Sequence, residues 1–525
     1  MSDINIGVPV DYAVPGDFLQ INFGVGPGGN DQGVYPILII ANRTTAGTGT
    51  VDTVVYGPNS SPPLQNENDV ITLAGTGSEA HRIWLRVRKV LDLAATVGVT
   101  APPVYVIFPT ESAGTAASLT FTVANAATAA GVLRFYCSDE FVDVSIASGQ
   151  SVATIGANIA IAINNQTRWP VTATFSVATL TVTAKNIGPR GNEIRVSSKI
   201  LSGTPATTIT NNASTPLAGG ATADSWTTAL ATILPTRYYY IVSPSTDTSG
   251  TTYDDLVAQV LLQAQPITGI RQVVVTGAVG TQSAASTIAA NASINTERSQ
   301  IAWLQTSELT AGEIAGTVAA VRSVFETRDW SYNFRDFGLG QIRDVHTDQF
   351  WRVPAPQTQA NWPTLGVAGS VNTGLNNGIT PIGVTADGHT YITRSITTRH
   401  KNGSNFDYRA RDSHIVSVLD RWADGLLADY RTRFGGSKIV DDLAPGEPVP
   451  GPGVVQPTQI KALVFEHIDA VANSQFKKAD AIKSGVLVQR DSVNQSRVGV
   501  RIPARVIDLL LQSAIEIDDN STATT

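Results

Sequence analysis

The chain has 525 residues, too many for a single hydrophobic core, and at the usual ~100–200 residues per domain it is expected to form about three domains. Charged residues make up only 15% of it, and its 45 glycines are typical of β-rich domains with many turns. The net charge of −7 argues against broad binding to a phosphate backbone, which needs clustered Lys and Arg, so direct nucleic-acid binding is not expected.

The N-terminal sequence MSDINIGVPV lacks the basic flank and apolar stretch of a secretory signal. The longest apolar runs, such as residues 34–41, fall far short of the ~20 residues that span a bilayer. The single cysteine, Cys137, cannot form an intrachain disulfide, and its apolar surroundings predict a half-buried strand thiol. We expect a chain that is made and kept in the cytosol, without membrane insertion.

Residues 1–23 are predicted to form an N-terminal arm. Leu19, Ile21 and Phe23 alternate with polar residues and would share one face of a short strand. A strand of this length is not stable alone, so it needs a neighbouring strand. Beyond it, a buried strand at 35–41, a helix at 78–93 and a strand at 104–108 indicate the first part of an α/β domain, residues 24–110.

Residues 150–196 contain a helix followed by two strands. Apolar residues recur every three or four positions in the predicted helix: Val152, Ile155, Ile159 and Ile163. Strict alternation then predicts two strands joined by a short turn, with inward residues Val171, Ala173, Phe175, Leu180, Val182 and Ala184. The turn sequence Gly188-Pro189-Arg190-Gly191-Asn192 ends the unit, which we interpret as part of a β-rich insertion, residues 111–222.

After the insertion, strands and helices alternate again through residue 305, predicting the second part of the α/β domain at 223–350. Pro-, Trp- and Gly-rich stretches between 350 and 378 then mark a boundary, and a C-terminal domain is expected at 351–511. Its predicted elements are a strand at 389–399, a helix at 413–434 closed by Gly435-Gly436, a helix at 458–472 and a hairpin of 485–489 with 497–502. Ile515 and Ile517 alternate with acids in a C-terminal arm, residues 512–525.

The fold class expected from these patterns is α+β and multidomain: an α/β domain with an inserted β-rich domain, and a C-terminal α+β domain with extended terminal arms. The order of elements in 150–196 closely resembles the domain inserted in Mu-like tail sheath subunits of contractile-tailed bacteriophages. That family's pattern is a hairpin, an Ala/Ile helix, a P-V-x-A strand, a T-x-T-A-K strand and a G-x-x-G-N loop. Residues 236–244, TRYYYIVSP, and residues 361–400 also resemble segments of the family, whereas its P-G-V-Y-V-E is PGDFLQ here.

The resemblance implies a structural protein, not an enzyme. It implies a helical homopolymer of stacked rings around a tail tube, which contracts without nucleotide hydrolysis and drives the tube through the host envelope for genome delivery. The implied partners are the tail tube, baseplate and tail terminator proteins, and the implied location is the virion tail, assembled in the host bacterial cytoplasm. A sheath of a related contractile injection system or bacteriocin is the closest alternative, and a β-rich surface adhesin is more remote.

The family's terminal arms join the C-terminal sheets of neighbouring subunits, which implies strand exchange here. The candidate donors are Leu19, Ile21, Phe23, Ile515 and Ile517, and the candidate acceptor residues are Val486, Val488, Val498, Val500 and Ile502. The other interpretation is that the arms fold back on their own domain. Residues 389–436 carry eight basic and five acidic residues, which suits contact with an acidic tube. The candidate tube-facing residues are Arg421, Arg431 and Arg433, although a solvated helix face explains them nearly as well.

Patterns associated with catalysis or ligand binding are weak. Residues 24–29, GVGPGG, satisfy G-x-G-x-x-G but lead into a strand instead of the helix that a dinucleotide site needs. Asp344, His346 and Asp348 would share one strand face and could supply part of a metal shell, but a solvated strand or loop explains them as well. With six scattered histidines and no recognisable nucleophile motif, we expect no catalytic, metal or cofactor site and no enzymatic activity.

Overall fold

A computed structural model describes residues 35–511 except 56–63, 65, 204, 206, 210–213, 235, 306, 336, 344–369, 385–388, 404, 408, 445, 449 and 450. The candidate arm strands with Leu19, Ile21, Phe23, Ile515 and Ile517 lie outside the described residues. So do the glycine-rich segment 24–29 and the candidate metal ligands Asp344, His346 and Asp348.

The first part of the chain forms the predicted strand, helix and strand, together with a short strand and a helix that were not predicted. The elements are β1 (Ile37–Ile40), β2 (Val54–Val55), α1 (Glu67–Ala74), α2 (Glu79–Leu91) and β3 (Val104–Ile107), with a short 3₁₀ helix at Ala94–Val97. Ser78 begins α2, since its hydroxyl accepts a hydrogen bond from the His81 N–H at 3.1 Å and caps the first turn.

Between residues 116 and 216 the chain forms two four-stranded antiparallel sheets with one helix, which we call the module. Its elements are β4 (Ala116–Ala124), β5 (Gly131–Cys137), β6 (Glu140–Ile146), α3 (Val152–Asn165), β7 (Val171–Ser176), β8 (Thr179–Ile187), a 3₁₀ helix at Pro189–Glu193, β9 (Arg195–Gly203), β10 (Thr208–Ile209) and β11 (Thr215–Pro216). The strand orders are β10-β4-β8-β7 and β11-β9-β5-β6. The predicted helix and hairpin are confirmed.

The module has its own hydrophobic core. The apolar stripe of α3, the inward residues of the β7–β8 hairpin and the inner faces of both sheets meet in one cluster. Phe121 and Phe135 from opposite sheets pack edge to face, with ring centroids 5.7 Å apart. Cys137 ends β5 in this core and is fully buried rather than half-buried, so burial raises the pKa of its thiol to about 12.

After the module, helices and strands alternate as expected. They are α4 (Thr227–Ile233), β12 (Tyr240–Ser243), α5 (Tyr253–Gln263), β13 (Val273–Ala278), α6 (Gln282–Ala290), β14 (Ser299–Trp303), α7 (Ala311–Arg328) and β15 (Phe337–Arg343). The long helix α7 was not predicted. Nearly all its residues are buried, so its sequence has no polar face and no helical periodicity to detect.

The C-terminal part contributes both to the central sheet and to a separate core. Its elements are α8 (Ser370–Asn376), β16 (Thr380–Val384), β17 (His389–Ile392), β18 (Lys401–Asn402), β19 (Asn405–Phe406), α9 (Ser413–Phe434), β20 (Lys438–Ile439), β21 (Val454–Val455), α10 (Pro457–Ala470), α11 (Ala479–Ser484), β22 (Leu487–Arg490) and β23 (Val498–Arg501). The helix predicted at 413–434 and the hairpin are confirmed. The strand predicted at 389–399 ends at Ile392. Beyond it, the backbone N–H groups of Thr397 and Thr398 donate to the carbonyls of Arg411 and Ser299, which lie in two different segments, so no single ladder continues.

The central sheet has nine strands in the order β15-β17-β16-β14-β13-β12-β1-β3-β2. Its middle strands are parallel and fully buried, and helices cover both faces. Ile37 and Ile39 face the core beneath α2 and α7, while Leu38 and Ile40 face the core beneath α4, α5 and α6. The predicted fold class, α+β with several domains, is confirmed.

Candidate assembly surfaces

The T-x-T-A-K and G-x-x-G-N residues of the sequence lie where the module meets the central-sheet domain. Lys185 at the end of β8 donates from Nζ to the Thr167 carbonyl at 2.6 Å and to the Thr76 carbonyl, between α1 and α2, at 3.0 Å. Burial lowers the pKa of Lys185 to about 8. Asn192 exchanges two hydrogen bonds with the backbone of Gly220, at 2.9 and 3.0 Å. These motif residues therefore have structural partners.

Arg190 makes the central ion pairs of this junction. Its Nε lies 2.6 Å from Glu79 Oε1 in the first turn of α2, and its Nη2 lies 2.8 Å from Asp224 Oδ2, just after the module. Asn42 donates to the same Asp224 oxygen at 2.9 Å. Burial alone would lower the pKa of Arg190, but the carboxylates of Glu79 and Asp224 outweigh burial and raise that pKa. The module is thus held to α2 and to the point where the chain rejoins the central-sheet domain.

A second group of buried charges joins the β5–β6 turn of the module to α2 and α7. Arg82 contacts Glu313 at 2.9 Å and Glu140 at 3.2 Å, and Arg86 contacts Glu313 at 3.3 Å and pairs with Asp139. Burial alone would raise the pKa of Glu313, but the two guanidinium groups outweigh burial and hold it below its usual value. Removing one member of such a buried group leaves its partners unpaired, which is strongly destabilising.

Two carboxyl groups of the same contact differ from these paired acids. Glu193 in the module accepts a hydrogen bond from the Ala311 N–H, the first residue of α7, at 2.7 Å. Glu308, just before α7, accepts hydrogen bonds from the Ser214 hydroxyl at 2.7 and 3.0 Å. Burial raises the pKa of both carboxyl groups to about 7. Their charge therefore changes near neutral pH.

The helix α9 is anchored to the central-sheet domain over its first part. Asp420, completely buried, accepts hydrogen bonds from the Tyr239 hydroxyl at 2.9 Å and from the guanidinium of Arg298. Burial would raise the pKa of Asp420, but Arg298 and its neighbouring arginines lower it overall. One turn further along, Asp424 pairs with Arg237 at 2.6 Å. These buried ion pairs could not be identified from the sequence, in which they read as isolated charges.

The three arginines proposed to face a tube have different environments. Arg421 is only 1% exposed; its Cζ lies 3.6 Å from the ring centroid of Tyr35, and it donates to the Thr327 hydroxyl at 3.2 Å. Its assignment to a tube-facing surface is therefore corrected: Arg421 packs inside this chain. Arg431 and Arg433 lie on the exposed last turns of α9, and Arg433 forms a two-bond pair with Glu466 at 2.6 and 2.9 Å.

The candidate acceptor sheet is the hairpin β22–β23. Val486 precedes β22 and is buried, while Val488, Val500 and Ile502 pack against the same core as Phe476. Val498 is half-buried. These side chains stabilise their own domain, so any added strand would be accepted by the backbone. In the part of the chain that the structure describes, β22 and β23 pair only with each other, which leaves an outer edge on each strand.

Candidate chemical sites are few in the described residues. Those residues contain no group of three or more His, Cys, Asp or Glu side chains that could hold a metal ion. His400 Nδ1 lies 2.8 Å from the Thr398 carbonyl and His414 Nε2 lies 3.2 Å from the Ile507 carbonyl, so each imidazole contacts a backbone carbonyl. None of the described helices is long and apolar enough to cross a membrane.

Comparison with known proteins gives loose structural likenesses. No family model matches the sequence, and no curated protein matches it. A sheath tail protein from Desulfitobacterium hafniense aligns with 94% of this chain and 97% of its own, with a TM-score of 0.46 and 14% identity. A sheath tail protein from Listeria innocua aligns with 92% and 94%, with a TM-score of 0.46 and 10% identity. Likenesses this loose do not establish a family for this chain.

Proposed function

We propose that this chain is a structural subunit of a contractile phage tail sheath, in which copies polymerise helically around a tail tube. The observation that carries the proposal is the pair of outer edges on β22–β23, together with strand-like arm sequences at both ends of the chain. A free edge accepts a strand through main-chain hydrogen bonds, and repeated head-to-tail exchange that does not close generates a helical polymer.

The motif resemblance in residues 150–196, 236–244 and 361–400 supports the same proposal. We propose a division into an N-terminal arm (1–23), a sheath α/β domain (24–110 and 223–350), an inserted outer domain (111–222), an inner domain contacting the tube (351–511) and a C-terminal arm (512–525). Within the bounds of the inner domain, β16 and β17 add to the central sheet of the α/β domain. In this arrangement Arg431 and Arg433 are the remaining tube-facing candidates. Contraction would rotate domains as rigid bodies about retained arm linkages, without nucleotide hydrolysis.

The proposal is tested by expressing the full chain alone and examining it by negative-stain electron microscopy. Two double variants separate polymerisation from arm exchange: Leu19→Asp with Ile21→Asp on the apolar face, and the matched Gln20→Asp with Asn22→Asp on the polar face. We expect hollow tubes from the wild type and the polar-face control, and none from the apolar-face variant.

The other outcomes are equally informative. Tubes from all three proteins would retain the sheath and exclude the N-terminal arm as donor. A wild type that stays monomeric at high concentration would overturn the polymer itself. Tubes that form but do not shorten under any destabilising condition would exclude contraction. A phage sheath and an injection-system sheath would both form tubes, and the tube protein that each chain coats would distinguish them.

A further inference from the structure

Among the described residues, no further strand pairs with the four terminal strands of the module's two sheets, and three of these strands carry a feature that discourages strand addition. Edge strands present free backbone groups that can template pairing with another chain, and proteins protect them by shortness, proline or charge. Two of these edges, β10 and β11, are only two residues long, and β11 contains Pro216. The edge strand β6 carries Glu140 and Asp143.

The fourth edge, β7, has none of these features. It runs for six residues with the sequence VTATFS, which is uncharged and rich in residues that favour strands. It pairs only with β8 among the described residues. By length and composition it would be a suitable template for strand addition.

A side chain of α3 occupies this edge. Asn164 donates from Nδ2 to the Ala173 carbonyl at 2.8 Å, and the Ala173 N–H donates to Asn164 Oδ1 at 2.8 Å. The carboxamide thus makes the same two hydrogen bonds that a neighbouring strand would make to Ala173. Both backbone groups at the middle of β7 are satisfied within the chain.

We propose that Asn164 is an edge guard: its amide occupies the positions at which a strand from a second copy of this chain would otherwise add to β7. In the proposed strand exchange, an arm that paired with β7 would be lost to its acceptor, and the guard prevents this. The guard itself does not depend on the sheath proposal.

The test is hydrogen–deuterium exchange of peptides covering residues 171–176, measured on the full chain over a range of protein concentrations. In Asn164→Ala at low concentration, the Ala173 amide should exchange roughly tenfold faster than in the wild type, since its hydrogen bond is lost. As concentration rises, the same amide should become protected again because a second copy pairs with β7. The wild type should show no dependence on concentration at this strand.

Two further variants separate edge protection from simple loss of stability. Asn165→Ala removes the next side chain of α3, which is exposed and makes no hydrogen bond among the described residues, and should behave as the wild type. Adding Thr174→Lys to Asn164→Ala places a charge on the exposed face of β7 and should abolish the concentration-dependent protection without restoring the lost hydrogen bond.

The proposal would be overturned if the Ala173 amide of Asn164→Ala exchanged as in the wild type, or if it exchanged faster at every concentration. It would also be overturned if the concentration-dependent protection of that amide persisted after Thr174→Lys was added. Should Asn164→Ala fail to fold, Asn164→Gln displaces the amide by one methylene and is judged by the same outcomes. The proposed tube contacts involve the terminal arms and β22–β23, whereas the exchange measurement reports on β7. Failure of the guard and failure of the sheath proposal are therefore distinguishable.

Discussion

Glu193 is an acidic side chain whose burial makes its ionisation unfavourable at neutral pH. It is buried at the contact between the module and α7, and its pKa is raised from 4.5 to about 7. A carboxyl group with a raised pKa stabilises the folded state fully below its unfolded pKa and loses that contribution as the pH rises through its folded pKa. The protein is therefore expected to become less stable between about pH 5 and pH 8 through this residue.

Glu193→Gln should remove this dependence, because the amide stays neutral and its oxygen can still accept the Ala311 N–H. Its free energy of unfolding relative to the wild type should increase from about pH 5 to pH 8 by on the order of 1–3 kcal/mol, at about 1.4 kcal/mol per pKa unit. Chemical denaturation at several pH values measures it, with the exposed Glu447→Gln as control. A difference that does not change with pH would contradict the assignment.

At the scale of elements, the packing of α3 on β7 depends on one glycine. Gly156 lies in the middle of α3 and is buried, and a Cβ added there would overlap the ring of Phe175 on β7. Glycine costs roughly 1 kcal/mol in a helix interior, so its presence here is explained by the close approach of the ring. The helix is weakened locally so that the strand can pack closely.

Gly156→Ala should therefore lower the free energy of unfolding by about 1–2 kcal/mol, since overpacking of ~1–3 kcal/mol outweighs the improved helix propensity. Thermal unfolding of the wild type, Gly156→Ala, Phe175→Leu and the double variant forms a double-mutant cycle. The leucine should recover most of the loss by vacating the space of the ring. A Gly156→Ala variant more stable than the wild type would show that the ring can move aside.

The helix α9 shows how one element serves two environments. Most of its residues from Ser413 to Leu426 are buried against the central-sheet domain and the C-terminal core, whereas Arg431 and Arg433 lie on exposed turns. Sequence periodicity predicted the helix but could not show that Arg421 faces inward. The stacking of Arg421 on Tyr35 involves a residue almost 400 positions away in the chain.

At the scale of the whole molecule, we expect buried ion pairs to make the module and the central-sheet domain unfold together. Arg190→Ala would leave Glu79 and Asp224, both poorly exposed, facing each other without a cation. We expect a loss on the order of 3–5 kcal/mol and, in calorimetry, separate unfolding of the module and the central-sheet domain. The matched control is Arg168→Ala, which removes a largely exposed partner of Glu67 and should leave the wild-type profile unchanged. An Arg190→Ala profile that matches the wild type would show that apolar contacts alone couple the two parts.

The sequence by itself determined the elements whose side chains face two different environments. The stripe of α3, the alternation of β7 and β8, and the spacing in α9 were each predicted because one face is apolar and the other polar, a pattern that needs only local information. Alternation also indicated the strand-like arm sequences, and the family resemblance supplied the strand-exchange hypothesis. Both stay predictions because the arms lie outside the described residues.

Only the tertiary structure decided the rest. The helix α7 is buried on all sides, so no periodicity distinguishes it, and the central sheet draws β16 and β17 from beyond the long segment 344–369. The pairing of Arg190 with Glu79 and Asp224, and of Asn164 with the edge of β7, joins residues that only folding brings together. Hydrogen bonds and ion pairs depend on distances of a few ångströms between specific atoms, and a residue pattern along the chain does not contain those distances.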